Sequence, residues 1–316
     1  AEAAYDIYRK CSVCPHACGI DRTQGKIGYC RQTDSLKVSS CVQHFGEETP
    51  LTGTHGVGNI FLTSCNMRCN YCQNYQISQL REGSEQSYEE VADQMLALQS
   101  LGVHYIGWVS PSHVVPGLLK SLAIARKKGL TLPIIYNSNG YDAISTLKLL
   151  DGIIYIYLPD MKYADNVIAK KYSHIKNYVE HSREAVLEMF RQVGPTVFDE
   201  DGMAQRGVLI RHLVLPGNLA GTWETLCFIA LEMSPKITLS LMSQYHPVYK
   251  AVHDPVIGRT ISTAEYDDAI RMAEELGFEH LLVQRMDSRL HNLPDFRKKT
   301  NPFPLKQSCN EEISTQ

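Results

Sequence analysis

No apolar run in this 316-residue chain reaches the length of about 18 residues that a helix needs to cross a bilayer. Neither sign of charge dominates: 31 Lys and Arg stand against 34 Asp and Glu, a formal net charge of −3. That balance offers no broad electrostatic grip on nucleic acid. The stretch Ala1 to Lys10 holds no apolar core of the kind a secretory signal carries. Internal repeats and low-complexity tracts are also missing, which excludes solenoids and tail-like sequences. What remains is a chain of 44% hydrophobic and 21% charged residues, long enough for about two average domains or one large α/β barrel.

Cysteine is distributed unevenly. Eight of the ten lie between Cys11 and Cys72, and only Cys227 and Cys309 fall outside. Disulfide scaffolds are usually short secreted chains that cannot build a core, whereas this chain can. Tight C-x-x-C spacings in such a chain read as metal-ligating thiolates in a reducing compartment. The expectation is a cytoplasmic metalloprotein.

Residues 1–50 form a cysteine-rich segment with turn signals and little periodicity. From Gly58 onward strand-like and helix-like stretches alternate. Strands are expected at 58–64, 103–109, 132–136, 153–158, 208–215, 237–242 and 281–283. Helices are expected at 116–128, 143–150, 183–193, 222–233 and 264–276, with another opened by the capping-box pair Ser87 and Glu90. Glu200-Asp201-Gly202 marks a turn, and Gly277 is placed to end a helix. Apolar strands alternating with helices imply a parallel sheet, and six or seven βα units fit an open or complete barrel. The chain thus divides into 1–50, a barrel over 51–291, and a Pro-containing surface tail over 292–316.

Cys65, Cys69 and Cys72 are spaced C-x3-C-x2-C on the loop that follows the first expected barrel strand. That end of an α/β barrel carries the active site. A closed structural zinc site needs four ligands; a cubane iron–sulfur cluster held by three thiolates keeps one iron open. A zinc loop completed by a remote His or Cys is the plainer alternative. With Tyr71 just before the last cysteine, the motif resembles that of radical SAM enzymes, and the likeness extends over most of the chain. It is most similar to the pyruvate formate-lyase-activating-enzyme-like branch. The resemblance implies a partial (β/α)6 TIM-type barrel, with a 4Fe–4S cluster on Cys65, Cys69 and Cys72. It further implies S-adenosylmethionine (SAM) on the open iron and Tyr71 beside the adenine.

Other strand ends supply what the resemblance implies for SAM. Asp160 and Lys162, two residues apart on an extended stretch, project to one face and match the family's Asp-x-Lys pair. Arg211 matches the family's SAM-facing Arg, and so apolar a strand requires it to meet a polar centre or an acid. Its neighbour His212 faces the other way and reads as structural. Asn137 and Ser138 stand where relatives hold a monovalent cation, although Asn137 replaces an acid. Asn139-Gly140 also reads as a simple turn. His246 matches a Tyr-His pair near adenine. The usual Gly-Gly-Glu segment is replaced by Ser110-Pro111-Ser112-His113, of which Ser110, Ser112 or His113 would supply polar contacts.

Cys11, Cys14, Cys18 and Cys30 make a complete set of four thiols, with Gly25 and Gly28 allowing the return turn. Zinc and a second iron–sulfur cluster both fit this second site, with disulfides as the remaining alternative. His16 reads as a surface residue. Cys41 precedes a segment ending in Glu47-Glu48 that is similar to one in the family, and reaching the site as a hydrogen donor is a minor alternative for it. Cys227 reads as a core residue, and Trp108 and Trp223 as packing residues.

The reading is a radical SAM oxidoreductase that cleaves SAM reductively for hydrogen abstraction. The resemblance implies a low-potential donor such as flavodoxin or ferredoxin, and a glycyl radical enzyme as protein substrate. Modification of another peptide, a small molecule or RNA is the rival within enzymes. A metal scaffold or electron carrier without SAM chemistry is the rival outside them.

Overall fold

The computed structural model describes residues 1–287, 293–298 and 301–303. Its frame is a largely parallel sheet. The strands are β1 (Leu36–His44), β2 (Val57–Leu62), β3 (Ser84–Gln86), β4 (Tyr105–Val109) and β5 (Ile134–Ser138), then β6 (Ile156–Pro159), β7 (Val197–Phe198), β8 (Ala204–Leu213), β9 (Thr238–Met242) and β10 (His280–Val283). Their order is β10-β9-β8-β6-β5-β4-β2-β1-β3, with β7 forming a hairpin on β8. Neighbours from β2 to β10 along this order run parallel, and β1 lies antiparallel to both β2 and β3.

Every residue of β2, β4, β5, β6 and β9 is buried. Burial on both faces explains why these strands read as continuous apolar runs instead of alternating ones. The sheet ends at β10 and β3 and does not close, as a partial barrel requires. Seven of its strands run parallel, with β10 at the expected stretch 281–283, one more than the (β/α)6 count that the resemblance implies.

Helices fill the crossovers: α1 (Tyr88–Ser100), α2 (Val115–Lys127), α3 (Asn166–Ser173), α4 (Tyr178–Val193), α5 (Thr222–Phe228) and α6 (Thr263–Glu275). Ser87 and Glu90 form the expected capping box, and Val91, Ala92, Met95 and Leu98 turn inward. A second box, Ser262 with Glu265, opens α6, and Gly277 follows α6 with φ 75°. α5 passes into a wider π turn at Ile229–Met233. α3 is absent from the sequence reading; Asp165 caps it by accepting from the Val167 and Ile168 amides.

Part of the cysteine-rich segment belongs to the sheet, since β1 pairs with β2 from Val38↔Leu62 to His44↔Val57. The described part of the tail is not wholly superficial. Phe296 is buried among Phe61, Ile77 and Val109, and Phe303 packs 4.1 Å from the His44 ring. Pro304 and Cys309 lie outside the described residues. No described helix is long and apolar enough to cross a membrane.

Candidate active site

The carboxyl ends of β2, β4, β5, β6, β8 and β9 open into one cleft of about 1260 Å³, part of it open solvent. Cys65, Cys69, Tyr71, Cys72, Asn137, Ser138, Asp160, Lys162 and Arg211 all line it. One loop and three strand ends, those of β5, β6 and β8, therefore deliver these residues to one place.

The loop 65–72 is tied down along its backbone. Arg68 and Asn70 donate their amides to the carbonyls of Ser173 and Tyr172, at 3.1 and 2.8 Å. Each cysteine sulfur has a polar neighbour. The Met67 amide and the Asn139 side-chain amide each donate to Cys65 Sγ at 3.3 Å. Ser173 Oγ donates to Cys69 Sγ at 3.0 Å, and Ser78 Oγ lies 3.2 Å from Cys72 Sγ. Burial pushes the free thiols up, Cys65 to about 12 and Cys72 to about 11. Cys69 is raised too, by burial against the opposing pull of Lys162 and Ser173. Hydroxyl and amide donors aimed at buried sulfur suit thiolates held by a metal, which must displace the protons on binding. The donor set therefore fits the three-thiolate cluster that the motif implies.

Opposite the cysteines stands a charge network centred on Asp160. Lys162 Nζ donates to Asp160 Oδ2 at 2.6 Å and Arg211 Nε to Asp160 Oδ1 at 2.7 Å. Burial opposes ionisation of Asp160, but Arg211 and Lys162 outweigh it and hold the carboxyl below its usual range. Burial likewise disfavours the charge on Lys162, and Asp160 and Cys69 more than restore it. The Arg211 guanidinium also reaches Asn137 Oδ1 at 2.7 Å and Glu47 Oε2 at 3.5 Å.

Glu47 and Glu48 extend this network from the segment between β1 and β2. Asn59 donates to Glu47 at 2.7 Å. Glu48 is buried with Oε2 unpartnered among the described residues. Burial pushes its pKa up to about 7, Arg211 opposing and Glu47 adding to the rise. Nothing in local spacing gave these two acids a role at Arg211. The requirement that a buried arginine find an acid was the available signal.

Several expected residues behave differently. Ser138 Oγ donates to Asp142 Oδ2 at 2.6 Å and accepts from the Gly140 amide, while Asn137 Oδ1 serves Arg211. Both oxygens of the expected cation pair thus belong to the protein's own network. Asn139 does more than turn the chain: it donates to both Cys65 Sγ and Asn66 Oδ1. Of the segment after β4, only Ser110 lines the cleft. It has φ 56°, the left-handed conformation glycine favours. Ser112 and His113 are buried away from it; His113 Nε2 bonds the Thr63 carbonyl at 2.9 Å.

His246 is not among the lining residues, where Gln244 appears instead. Tyr71 lines the cleft with its hydroxyl donating to Tyr163 at 2.6 Å, and Tyr163 pairs with Ser173 at 2.7 Å. His212 is fully buried as a structural residue, between the Met161 carbonyl at 2.8 Å and Thr222 Oγ1 at 3.0 Å. Cys41 does not reach the cleft: its thiol donates to Gln94 Oε1 of α1 at 2.8 Å.

The described cysteines, including Cys11, Cys14, Cys18 and Cys30, are free thiols. Among the described residues no three His, Cys, Asp or Glu side chains are closed around a single ion. His16, expected at the surface, is half-buried: its ring stacks on Tyr29 at 3.7 Å, and Nε2 lies 2.8 Å from the Asn66 carbonyl.

A family model described as Radical SAM superfamily matches residues 59–225, more than half of the chain. An uncharacterized protein of Methanocaldococcus jannaschii is 29% identical over 287 residues, covering 88% of this chain and 78% of that one. A second uncharacterized protein of the same organism is 27% identical over 158 residues, 45% of this chain and 46% of its own. Among solved structures, the FeFe-hydrogenase maturase HydG from Carboxydothermus hydrogenoformans superposes with TM-score 0.51 at 13% identity. The superposition covers 79% of this chain and 61% of that longer one. At that identity the likeness concerns the fold alone.

Proposed function

Because the chain belongs to the radical SAM superfamily, whose members use a 4Fe–4S cluster and SAM, we propose that Cys65, Cys69 and Cys72 hold the cluster and that SAM occupies the cleft beside them. The observation that carries this reading is the meeting of three thiols from one loop with Asp160, Lys162 and Arg211 in a single cleft. Held by Cys65, Cys69 and Cys72, such a cluster would pass an electron from an external reductant to SAM, the chemistry by which SAM is cleaved at its S–C5′ bond to a 5′-deoxyadenosyl radical for hydrogen abstraction.

The remaining work falls to the chain's own groups. Lys162 offers a cation to the methionyl carboxylate, and Asp160 offers an anion to the ammonium or a ribose hydroxyl. Arg211 fixes Asp160 from behind. Ser173, Ser78 and Asn139 hold the three sulfurs in place, and Tyr71 gives the cleft an aromatic wall. The apolar side chains of Phe61, Ile77, Val109 and Phe303 keep water from the reacting end.

For the hydrogen donor we carry over the activity implied by the resemblance, abstraction from a backbone glycine of a partner enzyme, with a flavodoxin- or ferredoxin-like reductant. Deuterium transfer from a labelled partner glycine into 5′-deoxyadenosine tests it, and no transfer from any glycyl radical enzyme overturns it. The cluster assignment is tested by anaerobic loading with iron and sulfide, reduction, and electron paramagnetic resonance. A cluster signal that shifts on adding SAM, and disappears in Cys65→Ala, is expected. A signal indifferent to SAM contradicts the reading.

A further inference from the structure

Among the described residues, the buried arginine beside the amino-terminal thiols has no acid to balance it. Arg22 is 1% exposed and makes no ion pair among the described residues. Its guanidinium bonds the carbonyls of Thr33 and His113 and lies over the Tyr8 ring at 4.2 Å. Its remaining electrostatic neighbours are Tyr8, Cys30 and Cys11, with Cys11 Sγ 3.9 Å from Nη1. Carbonyls and a ring satisfy its donors but carry no negative charge. An uncompensated charge so deeply buried costs several kcal/mol. Neutral thiols do not supply the missing anion; metal-bound thiolates do.

The four thiols are prepared for that state. The chain folds back on itself around them: the Gly19 amide donates to the Cys11 carbonyl at 2.9 Å, Cys11 to the Ile20 carbonyl at 2.8 Å and Ala17 to the Cys14 carbonyl at 2.9 Å. Gly28, two residues before Cys30, stands against Cys18. The Tyr29 amide donates to Cys18 at 3.4 Å. With Arg22 at Cys11, two of the four sulfurs already face a nitrogen donor. Gly28 completes the cradle: a Cβ there would stand 2.7 Å from Cys18 Sγ. The free thiols are not drawn onto one point, and closing them is the step a metal adds.

We propose that Cys11, Cys14, Cys18 and Cys30 bind a thiophilic metal as an anionic tetrathiolate centre whose buried counter-charge is Arg22. The centre also seats the catalytic loop. His16, two residues after Cys14, reaches the Asn66 carbonyl, and Tyr29, just before Cys30, receives Arg68 on its carbonyl at 2.9 Å and over its ring at 4.1 Å. Metal at the four thiols therefore fixes two contacts on the loop 65–72. Zinc and an iron–sulfur cluster share this ligand chemistry.

The test uses the full chain carrying Cys65→Ala, Cys69→Ala and Cys72→Ala, so that it stands whether or not the radical reading does. After anaerobic purification, zinc, iron and sulfide are quantified and thiols are titrated under native conditions. One zinc, or one iron–sulfur chromophore, with the four thiols protected is expected, and the analysis tells the two apart. Only trace metal with all four thiols reactive overturns the site. Adding Arg22→Gln is expected to speed metal loss to a chelator by about tenfold, and Arg22→Lys to restore retention. Equal retention in the Gln variant overturns the counter-charge role, and the metal count decides the site even where that variant does not fold.

Discussion

Asp160 is the residue on which two buried cations depend, so its charge matters more than its size. Replacing it with Asn leaves Lys162 and Arg211 facing each other across 13–15% exposed side chains. Removing one partner from such a group costs about 3–5 kcal/mol, to be read as a lowered urea midpoint. Lys162→Met in the same chain is expected to return part of that loss; an unchanged midpoint in Asp160→Asn contradicts the network. His212 makes a second prediction. Burial lowers its pKa to about 4 from 6.5, so the folded state favours the neutral ring. Its contribution is complete above pH 6.5 and disappears as pH falls from there toward 4, by at most roughly 3 kcal/mol. Unfolding midpoints across that window should steepen with acidity, and His212→Gln should flatten the dependence. At this scale the sequence was informative wherever one residue faced a strict requirement. Arg211 in an apolar strand had to find an acid, and it found Asp160 and Glu47. Ser173 was invisible because it stands 104 residues from the Cys69 sulfur it serves.

Elements were legible in proportion to their length and to the clarity of their ends. The Ser87–Glu90 box opened α1 as read, and the buried runs of β2, β4 and β9 stood out. β1 escaped because Ser39 and Ser40 interrupt its apolar alternation, where a register shift separates Val38 from Ser40. α3 escaped because eight residues carry little periodicity, and Asp165 was its one usable signal. The turn after β5 shows how an element end serves the site. Gly140 has φ 76°, and a Cβ there would lie 2.4 Å from the Asp160 carbonyl oxygen. Gly140→Ala therefore combines strain of about 1–3 kcal/mol with a push on the Asp160 strand end. A lowered thermal midpoint together with weaker SAM binding by calorimetry is expected; loss of neither contradicts the close approach.

Across the whole molecule, the parallel sheet converts a scattered sequence into one cleft. Six strand ends deliver Cys65, Asn137, Asp160, Arg211 and their neighbours to the same face, as a parallel α/β sheet does wherever it gathers strand ends. That gathering was readable from strand–helix alternation. The open edge, the inward Glu47 and Glu48 and the docking of Phe296 and Phe303 were not, because each depends on tertiary contact between distant segments. His246 illustrates the limit: a motif match put it at the site, and the path of the chain put Gln244 there instead. The central claim is that the cleft cleaves SAM on a cluster held by three thiolates. Production of 5′-deoxyadenosine by the anaerobically reconstituted, reduced chain tests it most directly. The account predicts SAM-dependent product from the parent chain and none from Cys65→Ala, Cys69→Ala or Cys72→Ala. No product from a chain carrying a full cluster, or undiminished product from any of the three variants, would contradict it.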